Sequence, residues 1–176
     1  KGAKFVGSSN SIFEQLGTQP VSMGRLIMEK TGNAGLILND SVMVTTSARL
    51  TSGNIFTSLN NELIFPNNVS FTDASLNSHV IGPVVKIGDD AFTFPVGGPA
   101  SYNPVTMSIP TGVTSRFIAV YKNQNPNIDG YNTNSKAGTF GTALISNAGY
   151  WDIQRVIGVT NVTLTFGFEA NPYELY

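Results

Sequence analysis

Apolar residues along this chain come in short runs, and Gly, Asn, Asp and Ser separate the runs at spacings that do not suit a helix. Arg25-Leu26-Ile27-Met28, Leu36-Ile37-Leu38, Ser41-Val42-Met43-Val44-Thr45, Asn54-Ile55-Phe56 and Leu63-Ile64-Phe65 are rich in β-branched, aliphatic or aromatic side chains. Such side chains fit a pleated, half-buried surface and their flanks are turn formers, so each run predicts a strand. Only residues 9–15 offer a helical turn, with Ile12, Phe13 and Leu16 at suitable offsets and Gly17 to stop it.

The rhythm changes between residues 83 and 86. From Val21 to Val80 the runs are about three to five residues long, with Gly32, Asn33, Gly35, Asn39, Asp40, Gly53, Asn54, Asn60, Asn61, Asn67 and Asn68 at the corners. This pattern suits a parallel β-solenoid whose inward row is Leu26, Leu36, Val42, Leu50, Ile55 and Leu63. Gly and Asn would supply left-handed backbone at its corners. The period is not strict, and an antiparallel sandwich with tight hairpins fits the same runs.

From Lys86 onward the strands lengthen and alternate more clearly. Ala91-Phe92-Thr93-Phe94-Pro95-Val96, Val105-Thr106-Met107-Ser108-Ile109, Ser115-Arg116-Phe117-Ile118-Ala119-Val120-Tyr121, Tyr150-Trp151-Asp152-Ile153-Gln154-Arg155 and Asn161-Val162-Thr163-Leu164-Thr165-Phe166 each read as a half-buried strand. Strands of this kind with turns between them predict a sandwich. In the third, Phe117, Ala119 and Tyr121 share one face and Arg116, Ile118 and Val120 the other, which places it centrally. The connection over residues 122–143 is polar apart from Ile128, Tyr131 and Phe140, and long for a plain loop. The expected fold is therefore all-β: a short parallel β-solenoid over 1–85 followed by an antiparallel β-sandwich over 86–176.

Composition narrows the partners. The 176 residues are 41% hydrophobic, enough for a core, but only 12% charged, about half the usual ~25%. The net charge of -1 gives no basic field for nucleic acid or anionic lipid. No cysteine is present, which removes disulfides, thiolate metal sites and a Cys nucleophile. No apolar run approaches the ~20 residues of a membrane span, so membrane insertion is not expected. The start at Lys1-Gly2-Ala3-Lys4 carries neither Met nor a signal pattern, as in a mature chain or an excised piece.

Groups able to do chemistry are sparse. His79, the one histidine, lies in Ser78-His79-Val80-Ile81 with no nucleophile elbow or neighbouring carboxylate, and a structural role is expected. The carboxylates are scattered, whereas a solenoid lyase or glycosidase needs paired acids on one face. No catalytic residue and no cofactor is expected. Asp89, Asp90 and Asp129 offer hard oxygen ligands for calcium, but turn chemistry accounts for them equally well.

The run Gly82-Pro83-Val84-Val85-Lys86-Ile87-Gly88-Asp89-Asp90-Ala91-Phe92-Thr93-Phe94-Pro95-Val96-Gly97, then Tyr102-Asn103-Pro104, then Tyr150-Trp151-Asp152-Ile153-Gln154-Arg155 and Val162-Thr163-Leu164, resembles a recurrent module of very large surface proteins of the Bacteroidota. The resemblance covers most of the chain and implies type IX secretion, an extracellular or cell-surface location, and a role in adhesion, gliding or a coat. Implied partners are neighbouring domains of the same long chain, other surface proteins, the secretion machinery during export, and glycans. A sorting domain is missing after Tyr173-Glu174-Leu175-Tyr176, which again suggests a fragment or a processed chain. The resemblance also makes Ser41, in Asp40-Ser41-Val42, an O-glycosylation candidate, expected exposed at a corner. Asn39, Asn68 and Asn161 head N-glycosylation sequons that matter only in a eukaryotic source.

Each motif residue has a physical reason to be there. Phe92 and Phe94, at i and i+2, would seal the solenoid's end against the sandwich; Pro95 would end pairing and Gly97-Gly98 would supply the turn before Tyr102 and Pro104. Trp151 and Ile153 would point into the sandwich core, with Asp152 and Arg155 on opposite faces. The leading expectation is a non-catalytic structural or adhesive surface module. The alternatives are a carbohydrate-binding module using exposed Tyr121, Tyr131 or Tyr150, and a solenoid-type polysaccharide-degrading enzyme. Because a coil buries its apolar row only against a neighbour, either Ile12, Phe13 and Leu16 fold over the first turn or further turns precede it, and continuation is the favoured expectation.

Overall fold

A computed structural model describes residues 1–15, 21–132 and 146–168. Nine strands build the first part: β1 (Ala3–Gly7), β2 (Ser11–Phe13), β3 (Val21–Lys30), β4 (Leu36–Leu38), β5 (Val42–Ser52), β6 (Ile55–Phe56), β7 (Leu63–Phe65), β8 (Ser70–Thr72) and β9 (Val80–Ile81). The rest of the described chain adds β10 (Val84–Ile87), β11 (Phe92–Phe94), β12 (Gly97–Gly98), β13 (Ser101–Tyr102), β14 (Val105–Met107), β15 (Arg116–Lys122), β16 (Tyr150–Ile157) and β17 (Leu164–Phe166). The fold is an all-β solenoid of about four turns followed by antiparallel sheets packed as a sandwich.

Three parallel stacks define the solenoid. Val21, Val42, Leu63 and Val84 pair in succession on one face. Ala3, Leu26, Ala48 and Phe71 do so on the second, and Ser11, Leu36, Ile55 and Val80 on the third. Leu26, Leu36, Val42, Leu50, Ile55 and Leu63, the expected inward row, are all buried in one core. Full burial of such side chains is worth roughly 1.5–3 kcal/mol each, and here it is available only between stacked coils.

The first strands differ from the sequence reading in two ways. β3 and β5 have 10 and 11 residues, not the short runs expected, because each turns a corner without breaking its ladder. A register shift at Met23/Arg25 marks that corner as a bulge, where the chain bends while pairing continues. The second difference is at residues 9–15, where Ser11–Phe13 is a strand and not a helical turn, because Leu36–Leu38 presents a parallel partner. Of the residues expected to fold over the first coil, Ile12 is 62% exposed and does not, whereas Phe13 is partly buried against the core; Leu16 and Gly17 lie outside the described residues.

The corner asparagines also work differently from expectation. Among them only Asn68 takes a left-handed backbone, at φ 60°. Asn10, Asn54 and Asn67 instead use their side-chain oxygens to accept the N–H groups of Gly35 (2.9 Å), His79 (3.1 Å) and Asp89 (3.2 Å) in the following coil. An amide side chain at a corner thus satisfies a backbone donor that no strand reaches.

β10 joins the two halves. One edge pairs in parallel with β7 and the other antiparallel with β15, so one sheet runs β1-β3-β5-β7-β10-β15-β16. β11, β14 and β17 form a second, antiparallel sheet. Phe92 lies 5.2 Å from Phe65 and 5.1 Å from Phe94, with Phe71 edge-on at 6.0 Å, so these aromatics fill the seam where solenoid gives way to sandwich. β15 is central, with Phe117, Ala119 and Tyr121 buried. Gly97–Gly98 is itself a short strand paired with Ser101–Tyr102, and the turn expected there falls at Pro99 and Ala100. A side chain on Gly97 would collide with the Ser101 carbonyl and the His79 ring.

The corner bonds make a testable contrast. Asn54→Ala strands the N–H of buried His79 and is expected to cost about 1–3 kcal/mol in denaturant unfolding. Asn68→Gly, which only relieves a left-handed backbone, is expected to change stability by less than about 1 kcal/mol.

Candidate functional site

Among the described residues, three basic side chains are buried, and each is held by backbone. Lys30 sends its ammonium to the Val6 carbonyl and the Ser11 hydroxyl, both at 2.9 Å, tying the second coil to the first. Lys86 bonds the Pro66 carbonyl (2.9 Å) and the Asp90 carboxylate (2.7 Å), with the Phe92 ring 5.0 Å away. His79 is fully buried with Nδ1 3.0 Å from the Ser75 carbonyl and Nε2 2.8 Å from the Gly98 carbonyl. A neutral imidazole carries one N–H, so only one of these carbonyls receives its hydrogen bond unless the ring is doubly protonated. Its ring faces Tyr102 at 5.7 Å, and it joins the last coil to the β12–β13 hairpin.

The calcium candidates are dispersed among other roles. Asp90 is the counter-ion of Lys86, and the backbone N–H of Asp89 is bound by Asn67. Asp129, at the end of a short 3-10 turn Pro126–Asp129, accepts from Tyr150, Lys122 and Gln124. The Tyr150 hydroxyl, then Lys122, holds the Asp129 carboxyl below its ordinary range. Tyr150 is raised, first by partial desolvation and then by Asp129. Among the described residues no group of three or more metal-ligating side chains comes together.

The remaining sequence candidates are distributed as follows. Ser41 is half-buried and not openly exposed, because its hydroxyl accepts from Glu62 N–H (3.0 Å) and faces the Asn60 carbonyl. Trp151 is half-buried, donates from Nε1 to the Asn103 carbonyl (2.8 Å) and packs on Tyr121 and Phe166. Arg155 reaches the Thr160 carbonyl at 2.7 Å. Pro104 closes the second sheet by accepting from Gly167 N–H (2.8 Å). Of the tyrosines expected to stack on sugar, Tyr121 is buried in the core and Tyr150 is tied to Asp129, leaving Tyr131 exposed. Tyr121 is inward because it shares a face with Phe117 and Ala119 on a central strand.

The structure adds a surface feature that the sequence reading missed. A groove of about 430 Å³ crosses the corners of three successive coils, with Asn33, Asn54 and Asn77 along it and Phe56, Leu76 and Ile81 as its apolar lining. Its residues come from separate segments of the chain, with Gly-Asn recurring at 32–33 and 53–54. The stacking of coils assembles them, with Pro99 of the β12–β13 turn completing the lining.

Lys86 gives a signed pH expectation. Burial pushes its ammonium below the ordinary 10.5, against the opposing pull of Asp90. The unfolded chain therefore holds this proton at pH values where the folded chain has released it, and the Lys86 contribution to stability rises with pH between the lowered value and 10.5. Lys86→Met is expected to flatten that alkaline limb in a pH series of unfolding curves. Lys86→Ala, which leaves Asp90 without its counter-ion and opens a cavity, is expected to cost about 3–5 kcal/mol. Compared with protein-family models, curated proteins and solved structures, the chain finds no significant match.

Proposed function

We propose that this chain is a non-catalytic structural or adhesive module of a large secreted surface protein, of the kind found in Bacteroidota and exported by the type IX route. The observation that carries the reading is the use of the buried ionisable groups. Lys30, His79 and Lys86 all bond backbone carbonyls of neighbouring coils or turns, which is scaffolding, and none lines the flank groove. The Phe-x-Phe-Pro-Val-Gly and Tyr-Trp-x-Ile-x-Arg motifs lie at the seam and in the sandwich, where they serve packing.

A repeating coil also suits a long surface protein mechanically. β1 pairs with β3 on one edge, and Val6 is 56% exposed beside it. Such an edge accepts further β-structure from a neighbouring domain or another surface protein. The low charge leaves a surface of neutral hydrogen-bonding groups, suited to contact with polymers and other proteins outside the cell.

Two measurements test this reading. Antibody labelling and protease shaving of intact source cells are expected to reach the chain; a purely cytosolic signal would refute the surface assignment. Incubation of the purified chain with a polysaccharide panel is expected to release no reducing ends, and sustained release would point to the enzyme alternative.

A further inference from the structure

We infer that the groove on the solenoid flank is a binding site for a short neutral oligosaccharide. The inference rests on the adhesive side of the reading above and assigns it a ligand class and a place.

The groove is built by coil stacking. Asn33, Asn54 and Asn77 come from three successive coils, which lie about 4.8 Å apart, so the site runs along the solenoid axis. Its volume of about 430 Å³ falls within the ~300–1,000 Å³ of small-ligand clefts. Phe56, Leu76 and Ile81 give it apolar surface, and no charged side chain is among its lining in the described residues.

Phe56 is held for the task. A side chain on Gly35 would stand 2.6 Å from Cε2 of the Phe56 ring, so the bare glycine lets that ring lie close against the preceding coil. Asn54 is fixed by its bond to the His79 N–H, whereas Asn33 and Asn77 are exposed. A flat apolar ring beside amides matches a pyranose, which has C–H faces and rims of hydroxyl groups that both donate and accept. The missing charge selects against phosphorylated, sulfated or carboxylated ligands, since nothing in the groove offsets their desolvation.

Titration of the intact chain against a panel tests this by calorimetry and NMR. The panel comprises neutral gluco-, manno-, galacto-, xylo- and N-acetylglucosamine oligosaccharides, with anionic polysaccharides and apolar peptides alongside. Saturable binding of a neutral member is expected, with shifts confined to the resonances of the groove. Phe56→Ala is expected to weaken it by about tenfold or more. Leu76→Arg, at a side chain already 48% exposed, is expected to block the groove without touching the core, with the thermal midpoint of each variant checking the fold. Tyr131→Ala is expected to leave affinity unchanged. No binding by any neutral member at millimolar concentration, preference for anionic members or peptides, or binding that survives Leu76→Arg overturns the assignment. A cytosolic location with groove binding intact would refute the surface reading alone.

Discussion

A coil of this solenoid cannot satisfy its own backbone. Its strands are parallel, so every ladder hydrogen bond crosses to the coil before or after it, and the inward side chains meet partners only in those same neighbours. The remaining structure answers that constraint. Corner asparagines pass bonds from coil to coil, Lys30 staples the first pair of coils, and β10 ends the stack by offering one edge to β7 and the other to β15.

The change from parallel to antiparallel pairing at β10 brings two sheet directions onto one core. Aromatic packing makes the join possible: Phe65 from the last complete coil, Phe71 from its second face, and Phe92 and Phe94 from the incoming chain contact one another in series. Lys86 lies inside this seam because its backbone position on β10 faces inward, between Phe65 and Phe117 in register. Its charge is tolerated only because Asp90, the Pro66 carbonyl and the Phe92 ring surround the ammonium. Arg116 adds a second fastening from β15, with Nη2 at 2.6 and 2.9 Å from the two oxygens of Glu62 at a solenoid corner.

One stack provides both the buried scaffold and the flank groove. The inward row holds the coils at a fixed spacing, and that spacing aligns unrelated corner residues such as Asn33, Phe56 and Asn77 along one flank. The buried Lys30, His79 and Lys86 bond backbone carbonyls of neighbouring coils and turns and so help to secure the frame.

The sequence alone determined the class of the fold and the inward row, because strand-forming runs and turn residues act locally and because a buried position favours an apolar side chain unless, as at Lys86 and His79, partners for the polar group are built around it. Val21, Val42, Leu63 and Val84 are evenly spaced, whereas the corner loops on the other faces vary in length, which is why the period reads as loose although the ladders are regular. Tertiary structure decided what depends on neighbours far along the chain. Residues 11–13 became a strand because β4 was there to pair with them; Tyr121 turned inward because β15 is central; and Gly97–Gly98 paired with Ser101–Tyr102, which moved the turn to Pro99 and Ala100. The same holds for the buried lysines, whose carbonyl partners are supplied by other coils, and for the flank groove, which no single coil contains.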